Sequence, residues 1–284
     1  MPELPEVEVT RLSFAQRIAG AQIVAVRMGA PLRWPLGVAP EILQGLVVDH
    51  VGRRGKYLWL QLRCSETIHP HSTSAQTAGG LLVHLGMSGS LRFDAQLPPA
   101  AKHDHFDLIT TLGTLRLHDP RRFGAVVWAP ALDQGSAQKL LAHLGREPFD
   151  PALTPSWFYA QLQTRQAPIK QVLLAGQVVV GAGNIYACEA LFASGIHPNT
   201  PAKRLSRARA AKLLAVVQHT LARALELGGS SLRDFYDAHG NVGAFQLQAQ
   251  VYGREAQPCV RCHSPIKRIV LGKRSTYYCA KCQR

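Results

Sequence analysis

Two cysteine pairs, Cys259-x-x-Cys262 and Cys279-x-x-Cys282, stand sixteen residues apart near the end of the chain. Four thiolates at this spacing suit one tetrahedral zinc ion. Each pair grips one edge of the ion, and the segment between them folds back as a hairpin. The stretch from Gln250 to Arg284 carries eight Lys/Arg and one acid, Glu255. Half of the net charge of +14 therefore falls in a small fraction of the 284 residues. A metal-stapled element this basic reads as a grip on nucleic acid.

At the other end, Pro2 and Glu3 follow Met1. Trimming of methionine before a small residue is expected, and it exposes a secondary amine. α-Amino groups titrate near neutrality, at about 7.7–8.0, so a useful fraction is an uncharged nucleophile. Attack of such an amine on a sugar C1′ gives an iminium with no N–H proton to lose. That electron sink acidifies the C2′ proton and opens β-elimination of a 3′-phosphate. Glu3 can protonate the sugar ring oxygen and shuttle protons, given burial that raises its pKa. The plainer reading of Met-Pro-Glu is a helix lead-in.

The composition is 46% apolar and 18% charged, enough for a full core, and the pI near 9.9 implies a polyanionic partner. DNA, RNA and an anionic membrane all qualify, but no run is apolar enough to span a bilayer. The richest, from Val172 to Ala193, is interrupted by Gln177, Asn184, Glu189 and several glycines. The N-terminal segment lacks the pattern of a signal peptide. The remaining cysteines, Cys64 and Cys188, are far apart in sequence, which favours a reducing cytoplasm over a disulfide framework.

Positioning these groups requires a scaffold. A helix is predicted from Pro5 to about Ala19, with Glu6 and Glu8 favouring its positive end. Short apolar or alternating runs follow at 22–28, 46–51, 56–62, 81–85, 90–93, 106–112, 114–118 and 125–128. They read as a β-sandwich or barrel. Residues from Ser65 to Gly80 read as a surface loop. Prolines 130, 148, 151 and 155 mark a boundary, and a helical region follows. Ile169–Gly176 and Ile185–Ala193 flank a glycine-rich turn. Gly181 and Gly183 there permit a close backbone approach, Asn184 is placed to cap the second helix, and its N-terminus suits a phosphate. Ser206 is placed to cap a helix with Leu213, Val217, Leu221 and Leu225 on one stripe, ending before Gly228-Gly229. Arg207, Arg209 and Lys212 at its start suit a solvated face and a DNA-facing role equally.

Nine segments occur in a telling order: MPELPEVEV (1–9), GRRGKYL (52–58), HLGMSGSL (84–91), HDHFD (103–107), DPRRFG (119–124), GAGNIYACEALF (181–192), GIHP (195–198), VYGR (251–254) and the cysteine quartet. Together the chain resembles, along essentially its whole length, bacterial formamidopyrimidine-DNA glycosylase, a bifunctional glycosylase/AP lyase of base excision repair. The resemblance implies an α+β fold. An N-terminal β-sandwich with flanking helices (1–130) is followed by a helix-two-turn-helix domain with a lesion-capping loop (131–249) and a β-hairpin zinc finger (250–284).

It also implies residue roles. Pro2 is the Schiff-base nucleophile, Glu3 the proton donor, Lys56 an acid in β-elimination, and Arg274 the group for δ-elimination and phosphate contact. Met87, Arg121 and Phe123 fill the gap left by an extruded base. His103, Arg165 and Asn184 contact the DNA backbone. Cys259, Cys262, Cys279 and Cys282 hold one structural Zn²⁺. The capping loop falls within Ser230–Gln246. A metal site of His103, His105 and Asp107 is disfavoured, since the ion already has four thiolates. The implied partner is double-stranded DNA with oxidised purines or abasic sites. The protein is expected to be a monomer in the cytoplasm, associated with the nucleoid through DNA. An endonuclease VIII-like enzyme for oxidised pyrimidines is less well matched, because it usually starts PEGPE and lacks the Met-Arg-Phe trio. A non-catalytic zinc-dependent DNA-binding protein leaves Pro2, Glu3 and Lys56 without a job.

Overall fold

The alternating runs of the first half form eight strands: β1 (Ile23–Met28), β2 (Val47–Arg54), β3 (Tyr57–Arg63), β4 (Thr77–His84), β5 (Ser90–Asp94), β6 (Asp104–Thr110), β7 (Gly113–His118) and β8 (Ala125–Ala129). The computed structural model describes residues 1–65, 77–229 and 248–284. The strands pair antiparallel in two four-stranded sheets, ordered β1-β6-β7-β5 and β2-β3-β4-β8. Period-two alternation decides which face is buried. Leu58, Leu60 and Leu62 of β3 join Phe106, Leu108, Leu115 and Leu117 of the other sheet in one core. Trp59 points the other way, against Ala137 and Leu140 of a short helix. The first helix, α1 (Leu4–Ile18), adds Val7, Phe14 and Ile18 to the main core. The short helix is α2 (Gly135–Leu141).

One loop expectation is corrected here. Residues 77–80 of the expected Ser65–Gly80 loop belong to β4; residues 66–76 lie outside the described residues. Gly79 and Gly80 read as loop formers but are close-approach positions in a strand. A Cβ on Gly80 would meet the Trp59 ring at 2.4 Å, and one on Gly79 would meet Ala129 O at 2.5 Å.

Two compact units result. The first holds residues 1–2 and 6–142; the second holds 3–5, 143–229 and the described part of 244–284. In the second unit, α3 (Pro155–Gln163) is capped by Thr154, whose Oγ1 accepts from Trp157 N. Helix α4 (Ile169–Ala175) stops at Gly176, at φ 66°. Helix α5 (Asn184–Ser194) is buried nearly all round, as a central helix must be, and stops at Gly195, at φ 73°. Helix α6 (Arg207–Glu226) starts at the Ser206 cap and buries Leu213, Val217 and Leu221, as its stripe predicts. The chain closes with the hairpin β9 (Lys267–Leu271) and β10 (Arg274–Tyr278). No helix among the described residues is long and apolar enough to cross a membrane.

Candidate active site and metal centre

Glu3 is almost fully buried, and its carboxylate sits at the start of α5. Oε2 accepts from Gly183 N (2.6 Å) and Tyr186 N (3.4 Å), and Oε1 accepts from Ile185 N (3.0 Å). A helix start has spare N–H donors and a positive dipole end, so it stabilises a negative charge there. Leu4 N donates to Gly181 O at 3.1 Å, which anchors the next residue too. The glycines are what let the segment in. A Cβ on Gly183 would meet Glu3 Cδ at 2.3 Å, and one on Gly181 would meet Leu4 Cδ1 at 2.4 Å. The predicted close backbone approach therefore exists, and its object is the chain's own Glu3-Leu4.

The expectation for Asn184 as a cap is corrected. Gly183 takes the cap position, with no side-chain bond of its own, because Glu3 already serves those donors. The anion at the start of α5 is likewise Glu3, where a phosphate was expected. Asn184 points elsewhere: Oδ1 accepts from Lys170 Nζ (2.6 Å) and Nδ2 donates to Ser275 O (2.9 Å). Lys170 Nζ also donates to Thr276 Oγ1 at 2.6 Å and to Ser275 O at 3.2 Å. This fully buried lysine ties α4, α5 and β10 together. Burial holds its ammonium below the usual lysine pKa. Sequence reading passed over Lys170, although a lysine on the apolar side of Ile169–Ala175 was a signal. It also passed over Glu189, whose buried carboxylate accepts from Gln250, Val251 and Tyr252 backbone N–H groups.

Pro2 is buried next to Glu3 in the chain. Lys56 occupies the two-residue turn between β2 and β3, after Gly55 at φ 58°. A positive φ at the first turn position suits the right-handed twist of a hairpin. The turn is braced from α1. Glu8 Oε2 accepts from Arg53 Nε (2.8 Å), and Arg53 Nη1 donates to Gly55 O (2.9 Å). Burial alone would raise the Glu8 pKa, but Arg11 and Arg53 outweigh it and hold the carboxyl below its usual value.

The His84 ring packs tilted against Tyr57, with centroids 4.7 Å apart, and its Nδ1 accepts from Gly86 N at 3.0 Å. Desolvation, helped by the charge of Lys56, pushes its pKa down to about 4, with Asp119 opposing. Protonation would also break the Gly86 bond. The unfolded chain takes up this proton near pH 6.5, whereas the folded chain resists until about 4. The contribution to stability is therefore complete above the unfolded value and is lost as pH falls through that window. Chemical denaturation of His84→Gln, which can still accept from Gly86, is expected to show a flatter acid limb than the parent.

Met87 is half-buried between β4 and β5, whereas Arg121 and Phe123 are exposed between β7 and β8. The Arg121 guanidinium lies over the Phe123 ring, 5.0 Å from its centroid. Phe123 is 45% exposed. His103 precedes β6 and meets His118 edge-on, with ring centroids 5.9 Å apart. Asp107 is engaged by Arg27 (2.7 Å) and Arg116 (2.8 Å), so it is no metal ligand here. Arg165 follows α3 and bonds Gln161 O and Thr164 Oγ1. The capping-loop stretch lies outside the described residues.

The four cysteine sulfurs lie within 4.8 Å of one another, with Cys259–Cys282 at 3.9 Å and Cys262–Cys279 at 3.5 Å. A zinc–sulfur bond of about 2.3 Å makes the edge of a tetrahedron roughly 3.8 Å, so the donor set fits one structural zinc ion. It is the only such His/Cys/Asp/Glu grouping among the described residues. Cys259 and Cys279 pack with Cys188 and Phe192 of α5, and Arg261 covers the Phe192 ring at 4.4 Å. Gly272 and Lys273 form the hairpin turn with φ 56° and 62°, and Arg274 is the first residue beyond it. The pair of left-handed residues makes a tight, twisted turn. Arg274 is thereby held on a rigid strand end.

Three family models match successive stretches of the chain. They are the formamidopyrimidine-DNA glycosylase N-terminal domain over residues 1–126, the formamidopyrimidine-DNA glycosylase H2TH domain over 144–236, and the zinc finger found in FPG and IleRS over 256–284. The chain belongs to the formamidopyrimidine-DNA glycosylase family. It is 57% identical to the formamidopyrimidine-DNA glycosylase of Albidiferax ferrireducens and 58% to that of Variovorax paradoxus, with 100% of each chain covered. The Fpg protein of Thermus thermophilus has a similar structure, with a TM-score of 0.85 at 34% identity, covering 99% of this chain and 98% of that one. Lactococcus lactis Fpg in complex with abasic-site DNA gives a TM-score of 0.85 at 31% identity over 99% of both chains. A mutant of that protein in complex with Fapy-dG DNA gives 0.86 at 31% over 100% of both. Membership makes the chain a DNA glycosylase with a zinc finger. The β-sandwich, the helix-turn-helix pair α4–α5 and the four-cysteine hairpin are the fold this family implies.

Proposed function

We propose that this glycosylase extrudes and excises oxidised purines, 8-oxoguanine and formamidopyrimidines, from double-stranded DNA, and then cuts the abasic strand by β,δ-elimination. The observation that carries the reading is the fixed carboxylate of Glu3. Its three backbone donors set the position of residue 3, and hence of the covalently joined Pro2. With Met1 removed, the Pro2 nitrogen attacks C1′ of the extruded nucleotide. The C1′–N bond to the enzyme forms as the bond to the purine breaks, and the purine leaves with the bonding electron pair and takes a proton from water. Glu3, fixed at the helix start, takes the amine proton and delivers it to the sugar ring oxygen. Ring opening leaves an iminium. Glu3, having given up its proton to the ring oxygen, takes the C2′ proton as the 3′-phosphate leaves, with Lys56 as the acid on the leaving side. A second elimination expels the 5′-phosphate, which Arg274 steers bidentately. Hydrolysis of the remaining imine returns the free amine.

Met87, Arg121 and Phe123 fill the vacated stack, and His103, Arg165 and Asn184 address the backbone. The protein works as a monomer, because a lesion has no two-fold symmetry, on the DNA of the cytoplasmic nucleoid. The test is incision of matched duplexes. An 8-oxoguanine:cytosine duplex should be cut in strong preference to one with thymine glycol. Preference for thymine glycol would move the chain's substrate class to oxidised pyrimidines.

A further inference from the structure

The loop with Met87 and the loop with Arg121 and Phe123 meet at one buried side chain. Asp119 has no exposed surface, and it lies between β7 and β8. Its Oδ1 accepts from Ser88 Oγ (2.9 Å) and Arg121 N (3.3 Å), and its Oδ2 accepts from Gly124 N (2.7 Å). Its own N–H donates to His103 O at 2.8 Å, and its carbonyl accepts from Arg122 N at 3.1 Å. All of the donors to the carboxylate are neutral. A buried carboxyl group costs stability unless such donors converge on it, and here three of them do.

The loops are also pressed together backbone to backbone. A Cβ on Gly86 would meet Gly124 N and Phe123 C at 2.5 Å. Arg122 is held at φ 55°, a conformation that disfavours non-glycine residues. This turn leaves Arg121 and Phe123 on the exposed side, one over the other. Removing the carboxylate would release Ser88, Arg121 and Gly124 at once.

We infer that Asp119 is the positioning residue that registers Met87 against Arg121 and Phe123, and so sets the efficiency of base extrusion rather than of the chemistry that follows. The inference rests on the gap-filling role proposed above. The test uses full-length Asp119→Asn and Ser88→Ala on two substrates. One is an 8-oxoguanine:cytosine duplex, read by single-turnover excision. The other is a single-stranded abasic oligonucleotide, read by borohydride trapping, which needs no extrusion and leaves no gap. For Asp119→Asn the ratio of duplex to single-strand rates should fall about tenfold, the size expected when buried donors lose a partner. For Ser88→Ala, which removes a single bond, it should fall about threefold.

A 2-aminopurine placed beside the lesion should brighten less in both variants than in the parent, since less wedging leaves it stacked. Equal falls on both substrates would reduce Asp119 to a general stability role and overturn the inference. So would an unchanged ratio in both variants. If Asp119→Asn does not fold, the Ser88→Ala ratio decides, and a ratio equal to the parent's rejects the inference. Failure of the parent itself to trap would instead reject the proposed function.

Discussion

Glu3→Gln is expected to lower single-turnover base excision by about 10²–10⁴-fold, the usual worth of a positioned general acid–base group. The side chain keeps its volume, so packing is nearly conserved. Its chemistry is not. An amide cannot carry the proton between the Pro2 amine and the sugar. It also presents two N–H donors where the helix start presents three of its own. At least one donor then faces a donor, and a charge-assisted bond is lost. DNA binding should change little, because Glu3 is buried. Excision within tenfold of the parent would remove Glu3 from the proton path.

Loss of the metal should have the second large effect. Cys279→Ser, or a strong chelator, is expected to release the zinc and to weaken DNA binding at least about tenfold, with the hairpin losing its fixed geometry. The reason is size. The cluster beneath the finger consists of few side chains, chiefly Phe192, Val251 and Ile266 besides the cysteines. Structural zinc contributes about 10–16 kcal/mol to such modules, far more than a core this small can replace. Arg274 sits five residues before Cys279 on the strand that enters the metal site, so its aim depends on the ion. Metal content, DNA affinity and far-UV circular dichroism should separate the effects. Zinc and affinity should fall, and the β-sandwich signal should stay. Unchanged affinity with zinc gone would make the finger irrelevant to the grip on DNA.

Local patterns in the sequence carried the scaffold. The strands of the sandwich announce themselves as short apolar or alternating runs, the start of β4 excepted, and α6 by its cap and stripe. Gly79 and Gly80 misled because a glycine pair signals a loop locally, whereas here the rings of Trp59 and Trp128 require the missing side chains. The reactive segment was legible as chemistry but not as geometry. Glu3 and Gly183 are 180 positions apart, and nothing local says that a carboxylate near the start of the chain will cap a distant helix. Asn184 looked like that cap because only neighbouring residues could be weighed. Asp119 and Lys170 were hidden for the same reason. Both look like ordinary polar residues until folding buries them among partners from distant segments. Cysteine spacing, by contrast, is a local property, and the four sulfurs meet as it predicts.

The proposed chemistry turns on a covalent bond from the nitrogen of Pro2 to the sugar. It is tested most directly by borohydride reduction of the parent protein on an 8-oxoguanine duplex, followed by peptide mapping of the adduct. A single adduct is expected, carried by the peptide that begins at Pro2 and absent from protein that keeps Met1. An adduct on Lys56 or Lys170, or full trapping by protein that retains Met1, would contradict it.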